Sequence, residues 1–126
     1  MNIAIRADSS IQMGIGHIMR CLTIAKFLKA KSSNVFFICR KHKGNLIYKI
    51  KDAGFAVLEL ENNAPEKELM SEIIYSSWLG STINQDADET INLLKNLSIH
   101  WLIIDHYSLD EYWHKKLQKY CKKLLV

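Results

Sequence analysis

Asn2-Ile-Ala-Ile-Arg-Ala7 is followed by Asp8-Ser-Ser-Ile-Gln-Met-Gly-Ile-Gly16, and then by His17-Ile-Met-Arg-Cys-Leu-Thr-Ile-Ala-Lys-Phe-Leu-Lys-Ala-Lys31. The first piece is short, apolar and rich in β-formers, which is the mark of a buried strand. The last piece carries apolar residues at Ile18, Cys21, Leu22, Ala25 and Leu28. That spacing is the one an amphipathic helix shows. The piece between them is a glycine-containing loop. Strand, glycine loop and helix in this order begin an α/β fold.

The remainder repeats the alternation. Ser32-Ser-Asn34 breaks the first helix, and Val35-Phe-Phe-Ile-Cys39 reads as a second strand. Gly44 to Ala53 is expected as a helix with Leu46, Ile47 and Ile50 on one side, capped by Gly54. Phe55 to Leu60 is a third strand. Pro65 suits the first turn of a helix reaching Ser77. Asp86 to Leu97 is expected as a helix whose acidic start, Asp86, Asp88 and Glu89, complements the helix dipole. Trp101-Leu-Ile-Ile-Asp105 is a fourth strand, and Leu109 to Lys122 a last helix with Asp110 as its cap. Alternating β and α units imply a Rossmann-like parallel sheet with helices on both faces. Lys122-Lys-Leu-Leu-Val126 reads as a strand just beginning, so residues 1–126 are expected to form one domain of a longer protein.

The composition fits a globular domain: 48% of residues are hydrophobic and 24% charged. No apolar run approaches the ~20 residues that span a bilayer, and the N-terminus lacks a signal-peptide layout. A cytoplasmic location and no membrane partner are therefore expected. Cys21, Cys39 and Cys121 are odd in number and widely spaced, as free thiols would be. The net charge of +4 invites a nucleic-acid reading. Much of the excess, however, sits at Lys115, Lys116, Lys119, Lys122 and Lys123 beside Leu117 and Cys121, as on the wet side of a helix. No nucleic-acid partner is expected.

In open α/β sheets, ligands sit beyond the carboxyl ends of the strands. Two loops lie there, Asp8–His17 and His106–Leu109, and Trp78–Asp86 could fold over the same edge. Gly14 and Gly16 permit a tight turn before a helix N-terminus, which favours a phosphate or a developing anion. Met19 stands where a dinucleotide fingerprint needs its third glycine, and Cys39-Arg40 ends the second strand where that fingerprint needs an acid. A histidine at a helix N-terminus is kept neutral by the dipole and can serve as a general base. His17 is either such a base or a local cap. Asp105 and His106 are neighbours at a strand end, so their side chains point to opposite faces. Asp105 can orient a group from another loop, His17 included, or bond loop amides. His42, His100 and His114 lie on different elements and show no metal-ligand spacing, so no metal and no cofactor are expected. Trp101 and Trp113 suit the core or its edge. Trp78 either lines a sugar pocket or anchors its loop.

Ile5-Arg-Ala-Asp8, Gly14-Ile-Gly-His-Ile-Met-Arg-Cys-Leu-Thr23, Phe37-Ile-Cys-Arg40, Trp78-Leu-Gly80, Gln85-Asp-Ala87 and Trp101-Leu-Ile-Ile-Asp-His-Tyr107 occur in this order. Together they resemble the N-terminal half of the PseG-type hydrolases of pseudaminic acid biosynthesis. The resemblance implies a GT-B fold of two Rossmann-like domains. It also implies release of UDP from UDP-2,4-diacetamido-2,4,6-trideoxy-β-L-altropyranose by inverting attack of water at the anomeric carbon. It places the catalytic histidine on His17. Asp8, Gly14, Gly16, Arg20, Trp78, Asp105, His106 and Tyr107 become candidate substrate-binding residues, with most nucleotide contacts in a C-terminal domain absent from this chain. A GT-B glycosyltransferase and a non-catalytic sugar- or partner-binding domain are the alternatives.

Overall fold

The computed structural model describes residues 1–11, 13–62 and 79–126. The expected Pro65–Ser77 helix, Trp78 and Gln12 lie outside the described residues. The order is β1 (Asn2–Ala7), α1 (Gly16–Ala30), β2 (Asn34–Arg40), α2 (Ile47–Asp52), β3 (Ala56–Leu60), α3 (Ile83–Leu94), β4 (Trp101–Asp105), α4 (Glu111–Leu117) and β5 (Lys123–Leu125). The strands form one parallel sheet in the order β3-β2-β1-β4-β5. This is the expected Rossmann-like α/β arrangement. The chain steps outward from β1 through β2 to β3, then returns to the other side of β1 for β4 and β5. The order therefore reverses between β1 and β4, and the carboxyl ends of both strands are where open α/β sheets carry their ligand crevice.

Alternation along the strands builds two cores. Ile3, Ile5 and Ala7 of β1, with Phe37 and Cys39 of β2 and Ile103 of β4, face Ile18, Cys21, Leu22 and Ala25 of α1. Ala4, Phe36, Ile38, Leu102 and Ile104 face the other way, onto Ala87 and Leu94 of α3 and Trp113 and Leu117 of α4. Both faces being covered explains why the strands read as continuous apolar runs. Trp113 is fully buried and Trp101 partly so.

Several boundaries differ from those expected. The second helix begins at Ile47 because Asn45 Oδ1 accepts the Ile47 amide at 3.1 Å, a local turn that competes with helix. The third begins at Ile83 rather than Asp86, since Thr82 caps it by accepting the Gln85 amide. Asp110 does cap α4, accepting the Trp113 amide at 3.1 Å. That helix ends at Leu117 and not Lys122. A 3-10 turn, Gln118–Tyr120, then leads the chain into β5, where Lys122 and Lys123 donate to the carbonyls of Ile99 and His100. Lys115, Lys119, Lys122 and Lys123 are exposed, and Lys116 reaches Asp88 and Asn84. The basic cluster is thus a solvated surface. All three cysteines are free. No described helix is long and apolar enough to cross a membrane.

Leu102 is fully buried at the centre of the second core. Leu102→Ala is expected to cost about 2–5 kcal/mol in urea denaturation. Leu97→Ala, at a site 45% exposed, is expected to stay within about 0.5 kcal/mol.

Candidate functional site

The β1–α1 loop closes on itself. Gly14 donates to the Ser10 carbonyl at 2.9 Å, and the Ser10 hydroxyl accepts the Met13 amide. Gly14 has φ of +76°, a conformation that side chains with a Cβ resist. Ile11 bonds the Lys43 carbonyl, which ties this loop to the one after β2. α1 then starts without a side-chain cap and with no acidic residue in its first turn. Its positive end lies at the carboxyl edge of the sheet, an arrangement that favours anions.

On the α1 face of the sheet, β4 ends in Asp105. His17 Nδ1 lies 2.6 Å from Asp105 Oδ1. Arg20, one turn along α1, grips the same carboxylate through Nε to Oδ2 and Nη2 to Oδ1, both at 2.6 Å. Burial alone would raise the Asp105 pKa, but the bonds from Arg20 and His17 hold it below the usual carboxylate value. An ionised Asp105 can only accept, so the His17 proton sits on Nδ1 and the Nε2 lone pair is left for chemistry. Tyr107, 68% exposed, presents its ring edge-on to His17 with centroids 4.8 Å apart. Ile15 and Met19 add exposed apolar surface on the same turn. The expectation that Asp105 and His106 point to opposite faces, with Asp105 available to His17, matches the structure.

On the other face lies a network that the sequence reading missed. Asp8, 1% exposed, accepts Arg6 Nη1 at 2.6 Å and the Arg40 amide at 2.7 Å on Oδ1. Its Oδ2 meets His42 Nε2 at 3.0 Å and His106 Nε2 at 2.9 Å. Burial would raise its pKa, yet Arg6 and the two histidine bonds hold it well below the carboxylate range. Arg6 and Arg40 converge on Asp86 at 2.6 and 2.9 Å, and Trp113 Nε1 donates to it at 2.9 Å. All four charged groups are fully buried, and their charges sum to zero. Asp86 is therefore a core countercharge more than an exposed complement to the α3 dipole. Arg40 also donates to the Glu61 carbonyl. Gly80 covers this network closely, since a Cβ there would lie 2.9 Å from His42 Cε1.

His42 thus does converge with a second histidine, but it is His106 rather than His100 or His114. Asp8, His42 and His106 bring three ligand-type atoms within 4.8 Å of one another. Their hydrogen bonding argues against a metal. The Ser108 amide donates to His106 Nδ1 at 3.1 Å, which puts the ring proton on Nε2, facing Asp8. A metal at Nε2 would need that proton on Nδ1.

Of the expected site residues, His17, Arg20, Asp105 and Tyr107 are brought together at the crevice, with Gly14 and Gly16 shaping its loop. Asp8 and His106 lie behind it, bonded to each other. The signal for the missed groups was Arg6 inside an apolar strand and Arg40 closing another, because a buried charge demands a partner. A separate open groove of about 520 Å³, lined by Trp101, Gln118, Cys121 and Lys122 to Leu124, sits at the amino ends of β4 and β5. It is at the opposite end of these strands from the polar cluster.

No protein-family model matches the chain. The chain is a relative of the UDP-2,4-diacetamido-2,4,6-trideoxy-beta-L-altropyranose hydrolase of Campylobacter jejuni. The two are 37% identical over 110 residues, 87% of this chain and 30% of that protein. It is also similar to an uncharacterized protein of Methanocaldococcus jannaschii, 27% identical over 125 residues, 99% of this chain and 21% of that one. The chain therefore spans less than a third of the length of either relative.

Removing Asp86 leaves two arginines buried without their shared partner, so Asp86→Ala is expected to cost about 3–5 kcal/mol in chemical denaturation. The depressed carboxyls of Asp8, Asp86 and Asp105 also give stability a pH dependence. Each contributes stability fully present above its unfolded pKa, and that contribution is lost as pH falls through the lower folded value. Denaturation midpoints measured against pH are expected to fall steeply only below about pH 4.

Proposed function

We propose that this chain carries the catalytic base of a nucleotide-sugar hydrolase, as the N-terminal Rossmann-like domain of a two-domain GT-B protein. The observation that carries the reading is the His17–Asp105 pair at the point where strand order reverses. Similarity to the Campylobacter jejuni hydrolase supports the reaction and the substrate, a UDP-linked diacetamido sugar. The missing nucleotide-binding domain is its expected partner.

Asp105 orients the ring and fixes its tautomer. His17 Nε2 then takes a proton from water as the water oxygen bonds to the anomeric carbon. The carbon–oxygen bond to UDP breaks on the opposite face, so the anomeric centre inverts. A single base suffices on the water side. UDP is a good leaving group, and donors that neutralise its diphosphate replace a second carboxylic acid. The uncapped start of α1, shaped by Gly14 and Gly16, offers such donors. Tyr107 contacts the sugar. Asp8 and His106 hold the crevice floor. No step calls for a metal.

Incubating the two-domain protein with the UDP-sugar and no acceptor is expected to release UDP and free sugar in equal amounts, read by NMR. A strict requirement for a second sugar or a lipid would make it a glycosyltransferase, and binding without turnover would leave a recognition domain. The 126-residue chain alone is expected to turn over negligibly. In the two-domain protein, His17→Asn is expected to lower the rate roughly 10²–10⁴-fold. Asp105→Asn, which permits the wrong tautomer, is expected to lower it by a comparable factor, up to about 10⁴.

A further inference from the structure

His17 Nδ1 has neighbours of opposite charge. Asp105 Oδ1 is 2.6 Å away and Arg20 Nη2 is 3.2 Å away. An ionised carboxylate against an imidazole, left to itself, favours the imidazolium. An imidazolium has no lone pair and cannot take a proton from water. A base on this scaffold must be held by its carboxylate and yet stay neutral. Arg20 meets both conditions. Its guanidinium pairs with both Asp105 oxygens while Oδ1 still receives the His17 bond. It is charged at every accessible pH, and it opposes a second positive charge on the ring beside it.

We propose that Arg20 is a positioning residue that keeps His17 available as a base, by neutralising the charge of Asp105 without breaking its hydrogen bond to Nδ1. The proposal deepens the hydrolase reading and rests on His17 being its base. Among the described residues, the other groups facing this pair are Tyr107, edge-on to the ring, and Cys21, whose thiol points at Asp105 Oδ2 from 3.7 Å. Burial, with Asp105 nearby, pushes that thiol up to about 12, so it stays uncharged at neutral pH. Asp8, His42 and His106 belong to the opposite face of the sheet. The Arg20 side chain is 58% exposed, so replacing it leaves both cores intact.

The test is an NMR titration of the His17 ring in this chain, with isotope-labelled histidine. Arg20→Gln is expected to move the His17 midpoint to higher pH, the direction that removing a neighbouring positive charge gives. Arg20→Lys keeps the charge and is expected to move it less than half as far. An unmoved or lowered midpoint in Arg20→Gln overturns the proposal, as does an equal shift in Arg20→Lys. In the two-domain protein, Arg20→Gln is expected to displace the acid limb of the kcat profile in the same direction with KM nearly unchanged. A raised KM with an unmoved limb would make Arg20 a substrate contact and overturn the positioning role. If the midpoint shifts but the unaltered protein hydrolyses no UDP-sugar, the hydrolase reading fails and the coupling of Arg20 to His17 stands.

Discussion

The carboxylate of Asp8 receives hydrogen bonds from three neighbouring strand ends. Arg6 comes from β1, the Arg40 amide and His42 from the end of β2 and the loop beyond it, and His106 from the end of β4. These strands are adjacent in the sheet, and their carboxyl ends form the floor of the crevice. A buried ion costs several kcal/mol in lost hydration, so the native arrangement persists only while all four donors stay in place. That requirement fixes how the loops after β1, β2 and β4 sit relative to one another. The position of His17 against Asp105 depends on it, because His17 follows the first of those loops and Asp105 directly precedes His106.

The two faces of the sheet carry different duties. On one, Arg6, Arg40, Asp8 and Asp86 form a buried cluster of two opposite charge pairs, with Trp113 bonded to Asp86, Gly80 packed close by, and Arg40 reaching the partly exposed Glu89 at its edge. On the other, His17, Arg20, Asp105 and Tyr107 form an open cluster within reach of solvent. β4 feeds both through consecutive residues, since the pleat turns Asp105 toward α1 and His106 toward Asp8. A strand end backed by a buried, densely hydrogen-bonded polar network suits a site that must hold one imidazole in a defined orientation.

The similar Campylobacter jejuni hydrolase is covered by this chain over 30% of its length. This chain brings together an imidazole held by a carboxylate, an exposed aromatic ring and an uncapped helix start. The buried histidine–aspartate cluster beside them resembles a metal site in composition. Its proton placement gives it a structural role instead.

The sequence by itself determined the alternating strands and helices, the parallel sheet, both glycines of the first loop, and His17 at a helix start. These follow from local periodicity, and periodicity is written residue by residue. It also determined that Asp105 and His106 diverge, because a strand has period two. Helix ends were less legible: Asn45 and Thr82 redirected two helix starts through their own side-chain bonds, and sheet pairing of β5 shortened α4. The long-range polar partners were decided only by the tertiary structure. Arg6 and Asp86 are 80 residues apart, and Asp8 and His106 98 apart. Nothing local marks such groups as partners. They meet because the sheet places β1 between β2 and β4, and because a charge buried there has no water to turn to.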